Sequence, residues 1–170
     1  ADREVLSSLT GFELTRGVLC AMKRPEKASL EDVLCNAKRV AVLERLSDAV
    51  NVGAIFRSAA ALGFDAVLLF HNCSEPLNRR TVRVSMGSVF LVPWAFFEKK
   101  SFSQPQNAVE YLKSKGFVTA AMALKNNSIG IDNPKLSKSE KLALFLGAEG
   151  DGLSNETIEA CDYTVKIPMH

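Results

Sequence analysis

The chain is expected to form an α/β fold, a mostly parallel sheet with helices on both faces. Three observations lead there. Short apolar runs bounded by turn residues recur along the chain, as buried strands do. Stretches with apolar residues at helical spacing separate them. Residues 40–70 read as one complete strand–helix–strand unit. Ligands of such sheets sit beyond the carboxyl ends of the strands.

Each element has its own signal. Residues 1–9 are short and amphipathic. Gly17-Val18-Leu19-Cys20-Ala21-Met22 reads as a strand, and Lys23-Arg24-Pro25-Glu26-Lys27 as a polar break. Ser29 is placed to cap a short helix through Asn36. Val40-Ala41-Val42-Leu43 is a buried strand. Asn51 then stands at a helix N-cap position. Val52, Ile55, Phe56, Ala59 and Ala60 follow at helical spacing, and Gly63 stops the helix. Residues 66–70 are a second buried strand, and 71–76 a loop with turn chemistry. Residues 78–84 form a short helix carrying Arg79, Arg80 and Arg83. Residues 89–92 are a strand ended by Pro93, with Trp94, Phe96 and Phe97 beyond it. Those aromatics suit core or dimer packing better than base stacking. Ser103 caps a helix with Ala108, Tyr111 and Leu112 on one face, stopped by Gly116. Residues 117–123 are a strand, 125–141 a polar connection, and 142–146 a strand running into Gly147-Ala148-Glu149-Gly150-Asp151-Gly152-Leu153. Ser154 or Asn155 caps a helix to about Ala160, and residues 163–167 are the last strand. The fold gathers Asn51, the glycine-rich turn and Pro168-Met169 on one sheet edge, since each follows a strand.

Composition bounds the function. The 170 residues suit one ordinary domain with a proper core, and 47% apolar with 24% charged residues is usual for a globular protein. A net charge of +2 is too small to argue for nucleic acid by itself. There is no apolar run long enough to cross a membrane and no signal-peptide pattern. Cys20, Cys35, Cys73 and Cys161 form no CxxC pair, so neither a metal site nor a disulfide framework is indicated. Buried, reduced thiols in a cytoplasmic protein are expected. A start without methionine and an end at His170 read as a fragment, or as a chain whose ends were not seen.

Two stretches carry polar content that packing does not require. Asn51 and Arg57 lie six residues apart, about 9 Å along a helix axis. Helical side chains lean toward the N-terminus, which gives Arg57 a route to the helix mouth beside Asn51. The bland reading is a cap and a solvated arginine. Gly53 keeps the first turn bare, so that a ligand or another backbone can come close. The turn at 147–152 is a strand–glycine loop–helix junction, yet it matches neither GxGxxG nor GxxxxGK[ST]. It also carries Glu149 and Asp151, which oppose bound phosphate by about 1–4 kcal/mol per like-charge contact at 4 Å. That argues against a dinucleotide or a nucleoside triphosphate. It suits a ligand with hydroxyls or a positive charge, and S-adenosylmethionine has both. The alternative is a tight turn with solvated acids.

Asn51-x-Gly53-x-Ile55-x-Arg57, Gly147-Ala148-Glu149-Gly150-Asp151-Gly152-Leu153 and Ile167-Pro168-Met169 resemble the three ordered motifs of the SpoU (TrmH) branch of the SPOUT RNA methyltransferases. Ser85-Met86-Gly87-Ser88 is similar to the small-residue segment between them. The likeness runs from about Val40 to the chain end, and three motifs in order make it specific. It implies a SPOUT-type fold whose C-terminal part is tied into a trefoil knot, and a homodimer. It implies methyl transfer from S-adenosylmethionine to a ribose 2′-hydroxyl in tRNA or rRNA. The donor would be held by Leu146, Gly147, Ala148, Gly150, Gly152, Ile167, Pro168 and Met169. In the family the third motif continues into a helix with a Ser-Leu-Asn sequence. Here the sequence ends at His170; that helix is expected to follow in the full protein, the alternative being a chain that cannot complete the site. Residues 1–36 are read as an N-terminal extension, or as the remnant of an RNA-binding domain with its linker. Residues 37–170 are read as the methyltransferase domain, truncated at its C-terminus.

The implied catalytic residues are Arg57, Asn51 and Glu149. A guanidinium stays protonated, so Arg57 is a poor base and a better stabiliser of a developing alkoxide or clamp on the neighbouring phosphate. Asn51 orients the ribose or Arg57. Glu149 orients Arg57, binds a substrate hydroxyl, or forms a plain ion pair. Arg79, Arg80 and Arg83 are the densest basic cluster and the expected RNA contacts, Arg79 and Arg83 lying one helical turn apart; the alternative is a solvated helix face. A second function class is a non-catalytic RNA-binding or dimerisation module on the same fold. Intact Asn51 and Arg57 count against it. A third, a nucleotide-binding α/β enzyme, is weakened by Glu149 and Asp151.

Overall fold

The structure is a computed structural model that describes residues 2–11, 13 and 22–168. The strand expected over 17–22 lies outside these residues except for Met22, as do Met169 and His170. Helix α1 is Arg3–Thr10 and α2 Leu30–Leu34, the latter capped by Ser29, whose hydroxyl accepts from the Asp32 amide. The strands are β1 (Arg39–Leu43), β2 (Ala66–Leu69), β3 (Trp94–Phe96), β4 (Val118–Met122), β5 (Ile129–Gly130), β6 (Leu142–Leu146) and β7 (Tyr163–Lys166). Helix α3 (Ala49–Leu62) joins β1 to β2, and α4 (Arg79–Val84) follows β2. Further along come α5 (Pro105–Ser114), α6 (Pro134–Ser137) and α7 (Asn155–Ala160).

The seven strands form one parallel sheet in the order β3-β2-β1-β6-β4-β7-β5. Side chains of β1 and β2 alternate between its faces. Val40, Val42, Ala66 and Leu68 join a core closed by α2 and α5, through Leu30, Val33, Ala108 and Leu112. Ala41, Leu43, Val67 and Leu69 join another closed by α3, through Val52, Phe56 and Ala59. Helices therefore cover both faces, as the unbroken apolar strands require.

Three expectations are corrected. Asp48, not Asn51, caps α3: its carboxylate accepts from the Val50 amide at 2.8 Å. The helix starts a turn early because Ala49 and Val50 already continue it, which releases the Asn51 side chain from capping. Residues 88–90 form a 3-10 turn rather than the start of a strand at 89–92. Gly87 in the left-handed region, φ 83°, turns the chain there, and the strand moves to Trp94–Phe96, paired with β2. Pro93, which has no N–H to give, offers its carbonyl to the Val67 amide at 3.0 Å. The cap of α5 is Gln104 rather than Ser103, since Pro105 occupies the first helical position. The polar stretch 125–141 also contains β5 and α6, too short to show a period.

Candidate active site

Strands β1 and β6 are neighbours, with Leu43 beside Leu146, so the segments that leave them run side by side. They enclose a cleft of about 250 Å³ lined by Arg45, Leu46, Ser47, Asp48, Asn51, Ala148 and Glu149. Asn51 Nδ2 donates to Glu149 Oε2 at 3.1 Å, joining two expected site residues 98 positions apart. Glu149 forms no ion pair among the described residues. An asparagine amide aims the carboxylate and leaves its second oxygen open.

The glycine loop is a closed turn. Ala148 and Gly152 bridge in antiparallel fashion, the Gly152 amide donating to the Ala148 carbonyl at 2.9 Å. A Cβ on Gly147 would lie 2.2 Å from the Gly152 carbonyl carbon and from the Leu153 nitrogen, so the returning backbone needs glycine there. Gly150 and Gly152 have φ of 97° and 67°, which L side chains rarely adopt. Leu146 is half-buried below the loop, and Leu153 anchors its exit in the core. The described part of the third motif, Ile167 and Pro168, lies at the same edge. The Ala123 amide donates to the Val165 carbonyl at 3.1 Å, prolonging the β4–β7 pairing, and Leu124, Ile167 and Pro168 are exposed beyond it.

The arginines sit elsewhere. Asn78 caps α4 by accepting from the Arg80 amide at 2.9 Å. Exposed Arg79, Arg80 and Arg83 line an open cleft of about 560 Å³ with Val50, Asn78 and Val84. Gly53 decides how close α3 and α4 come, since a Cβ there would lie 2.8 Å from the Thr81 carbonyl. The close neighbour at Gly53 is thus a backbone. Arg57 is exposed, lies outside the lining of the Asn51–Glu149 cleft, and has no ion-pair partner among the described residues. Seven residues after Val50, it returns to within about 20° of the same helix side, some 10 Å further along. Arg57 lies outside the lining of the arginine cleft as well.

The sequence reading missed two residues. Glu44 is 2% exposed, and its carboxylate accepts from Thr157 Oγ1 at 2.6 Å and from the Ser154 amide at 3.2 Å. Arg45 has φ 60°, and its Nη2 donates to the Gly152 carbonyl at 3.1 Å. The available signal was a charged pair directly after the apolar run of β1. Outside the site, burial pushes the Cys73 thiol up to about 11 and Cys161 up to about 12, while Cys35 is exposed. Among the described residues no group of three or more His, Cys, Asp or Glu side chains is placed to hold a metal. No described helix is long and apolar enough to cross a membrane.

A parallel α/β sheet with a glycine loop and an Asn–Glu pair at its carboxyl edge is the class of protein these observations define. The model of the SpoU rRNA Methylase family matches residues 38–170, and the chain belongs to that family. It is 41% identical over 170 residues to an uncharacterised tRNA/rRNA methyltransferase of Mycobacterium tuberculosis, covering 99% of this chain and 57% of that protein. It is 28% identical over 169 residues to the Bacillus subtilis 23S rRNA (guanosine(2553)-2'-O)-methyltransferase RlmP, covering 99% of this chain and 62% of the relative. Among solved structures, the SpoU methyltransferase AviRb of Streptomyces viridochromogenes in complex with AdoMet superposes with a TM-score of 0.69 at 26% identity, over 85% of this chain and 56% of that one. The chain thus spans less than two thirds of the length of these relatives.

Proposed function

We propose that this chain is the catalytic part of an S-adenosylmethionine-dependent RNA 2′-O-ribose methyltransferase acting on tRNA or rRNA. The observation that carries the reading is the closed 147–152 turn with the Asn51–Glu149 pair across it, at the carboxyl edge of β1 and β6. The family membership and the 2′-O-methyltransferase name of the Bacillus relative support it.

The residues present fit the donor. The Gly147 backbone packs directly on Gly152 and Leu153, which holds the turn closed in one shape before a ligand arrives. Glu149 and Asp151 are exposed, which disfavours phosphate and suits ribose hydroxyls and a sulfonium. Exposed Leu124 and Ile167 offer apolar surface for an adenine ring. Leu146, Gly147, Ala148, Gly150, Gly152, Ile167 and Pro168 would hold the donor, with Met169 beyond the described residues. Bound there, the donor supplies an electrophilic methyl group whose departure needs no acid. The protein's task is then the hydroxyl. The Arg57 guanidinium stabilises negative charge developing on the ribose oxygen, or grips the adjoining phosphate. Arg79, Arg80 and Arg83 hold RNA phosphates along the cleft they line. Asn51 keeps Glu149 aimed, and the free Glu149 oxygen accepts a substrate hydroxyl. The reading includes a C-terminal trefoil knot, a homodimer and a cytoplasmic location. Trp94 and Phe96 are half-buried in the sheet and Phe97 is buried, so core packing takes most of their surface.

Calorimetry of the full-length protein tests the donor. S-adenosylmethionine or its demethylated product should bind, with no comparable affinity for NAD or ATP. Tight NAD or ATP binding in its place would overturn the assignment.

A further inference from the structure

The one buried carboxylate among the described residues that the chemistry above does not use belongs to Glu44. Burying a charge is costly, and an apolar side chain of similar size often serves stability as well or better. A glutamate in such a place calls for a reason in its partners. All of them belong to the glycine loop's margins or to the next residue. The Glu44 amide donates to the Leu146 carbonyl at 2.9 Å, at the loop's entry. Its carboxylate takes the Ser154 amide at 3.2 Å and the Thr157 hydroxyl at 2.6 Å, at the loop's exit. One residue therefore fixes both ends of the loop and the span between them.

Arg45 completes the grip. Its Nε lies 3.6 Å from Glu44 Oε1, and Nη2 donates to the Gly152 carbonyl at 3.1 Å. Arg45 also has a left-handed backbone, φ 60°, unfavourable for a side chain with a Cβ. The Arg45 amide is held in that turn by Asn72 Oδ1 at 3.3 Å. The Nε atom is buried with no hydrogen-bond partner. A strained backbone, a buried acid and an unsatisfied donor all converge on one loop, and the loop's tip carries the Asn51–Glu149 pair.

We propose that Glu44 is a positioning residue: its buried carboxylate, through Ser154 and Thr157, sets the shape of the loop that receives the methyl donor. Arg45 supports it from the Gly152 side. This rests on reading 147–152 as the donor loop. The acid touches no substrate and takes part in no bond change; it removes the freedom of the loop to open before the ligand arrives, which raises affinity by lowering the ordering cost of binding.

The test uses the full-length protein and two opposite changes at Thr157. Thr157→Val keeps the branched shape and removes the hydroxyl. Thr157→Ser keeps the hydroxyl and removes the methyl group. S-adenosylhomocysteine affinity is read by calorimetry, loop opening by amide hydrogen exchange over 147–153, and global stability by melting. Thr157→Val should bind the product about tenfold more weakly, the share of a charged hydrogen bond, and exchange faster in the loop. Thr157→Ser should melt lower yet bind nearly as the wild type does. Glu44→Gln, which keeps an acceptor oxygen and loses the charge, should fall between. A Thr157→Val protein with wild-type affinity and wild-type loop exchange, or losses that follow melting temperature across both variants, would overturn the inference alone. A wild-type protein that binds no product overturns the donor-loop reading and this inference with it.

Discussion

Replacing Gly147 by alanine tests the shape of the proposed donor loop at its tightest point. The added Cβ would sit 2.2 Å from the Gly152 carbonyl carbon and the Leu153 nitrogen, and 2.5 Å from the Gly152 oxygen. Carbon contacts settle at about 3.5 Å or more, so the returning backbone must recede by ~1.3 Å. The Gly152 amide now bonds the Ala148 carbonyl at 2.9 Å. Such a retreat carries it past the ~3.2 Å reach of an N–H···O bond. The Arg45–Gly152 contact at 3.1 Å is pulled apart with it. Overpacking costs roughly 1–3 kcal/mol, and each lost bond adds about 1 kcal/mol. At ~3 kcal/mol in all, melting should fall by about 6–12 °C if the loop stays closed. If the loop opens to relieve the clash, the cost moves to the ligand, and product affinity drops about 100-fold. Gly150→Ala is the contrast: nothing lies within 4 Å of its Cβ, and only the φ of 97° resists it. Calorimetry with S-adenosylhomocysteine and a melting curve on each variant decide the matter. A Gly147→Ala protein with wild-type melting and wild-type affinity would refute the closed loop.

Arg57→Ala should lower single-turnover methyl transfer by ~10²–10³-fold while leaving donor affinity nearly intact, and Arg57→Lys should rescue little, since lysine lacks the planar fork. Arg80→Ala should instead weaken RNA binding and reduce its salt slope by about 1, with turnover at saturating RNA unchanged. Iodoacetamide at neutral pH should label exposed Cys35 before Cys73 and Cys161, whose thiols burial raises to about 11 and about 12; earlier labelling of Cys161 would contradict its packing. Asp162 is partly buried, which raises its pKa. Lys113 Nζ at 2.9 Å and the Thr119 amide and hydroxyl outweigh that and hold the carboxyl below its ordinary 3.8. A depressed acid stabilises the fold above its unfolded pKa and loses that contribution as pH falls through the folded value. Asp162→Asn should therefore flatten the loss of stability below about pH 4, read by denaturant titration at stepped pH.

Much of this fold was legible in the sequence because its signals are local. The apolar run of β1, the helical period through Phe56 and Ala59, and Gly63 in the left-handed region fix the first strand–helix–strand unit. Ser29, Asn78 and Ser154 cap their helices as their chemistry suggests. What failed depended on tertiary packing. The run Val89-Phe90-Leu91-Val92 has strand composition, yet pairing with β2 falls to Trp94–Phe96. Strand β5 has two residues and exists through its register with β7.

The site divides in the same way. Asn51, Gly147, Glu149 and Gly152 stood out through motif spacing, and their meeting at the β1–β6 edge follows from strand order. Arg57 lies outside the lining of the cleft that holds Asn51. Six residues turn a helix by about 600°, which leaves Arg57 some 120° away, on the side of Val50. Glu44 escaped notice because its partners, Ser154 and Thr157, are 110 and 113 residues further on. A lone acid after a strand has no signature until the fold brings its donors together.

The most direct measurement is made on the RNA. Full-length protein is incubated with donor carrying a deuterated methyl group and with tRNA and rRNA from cells that lack the gene. The RNA is then digested to nucleosides for mass spectrometry. The label should appear on a ribose 2′-oxygen at one nucleotide of one RNA, and be lost with Arg57→Ala. Label on a base, or none on any RNA from a protein that binds the donor, would contradict it.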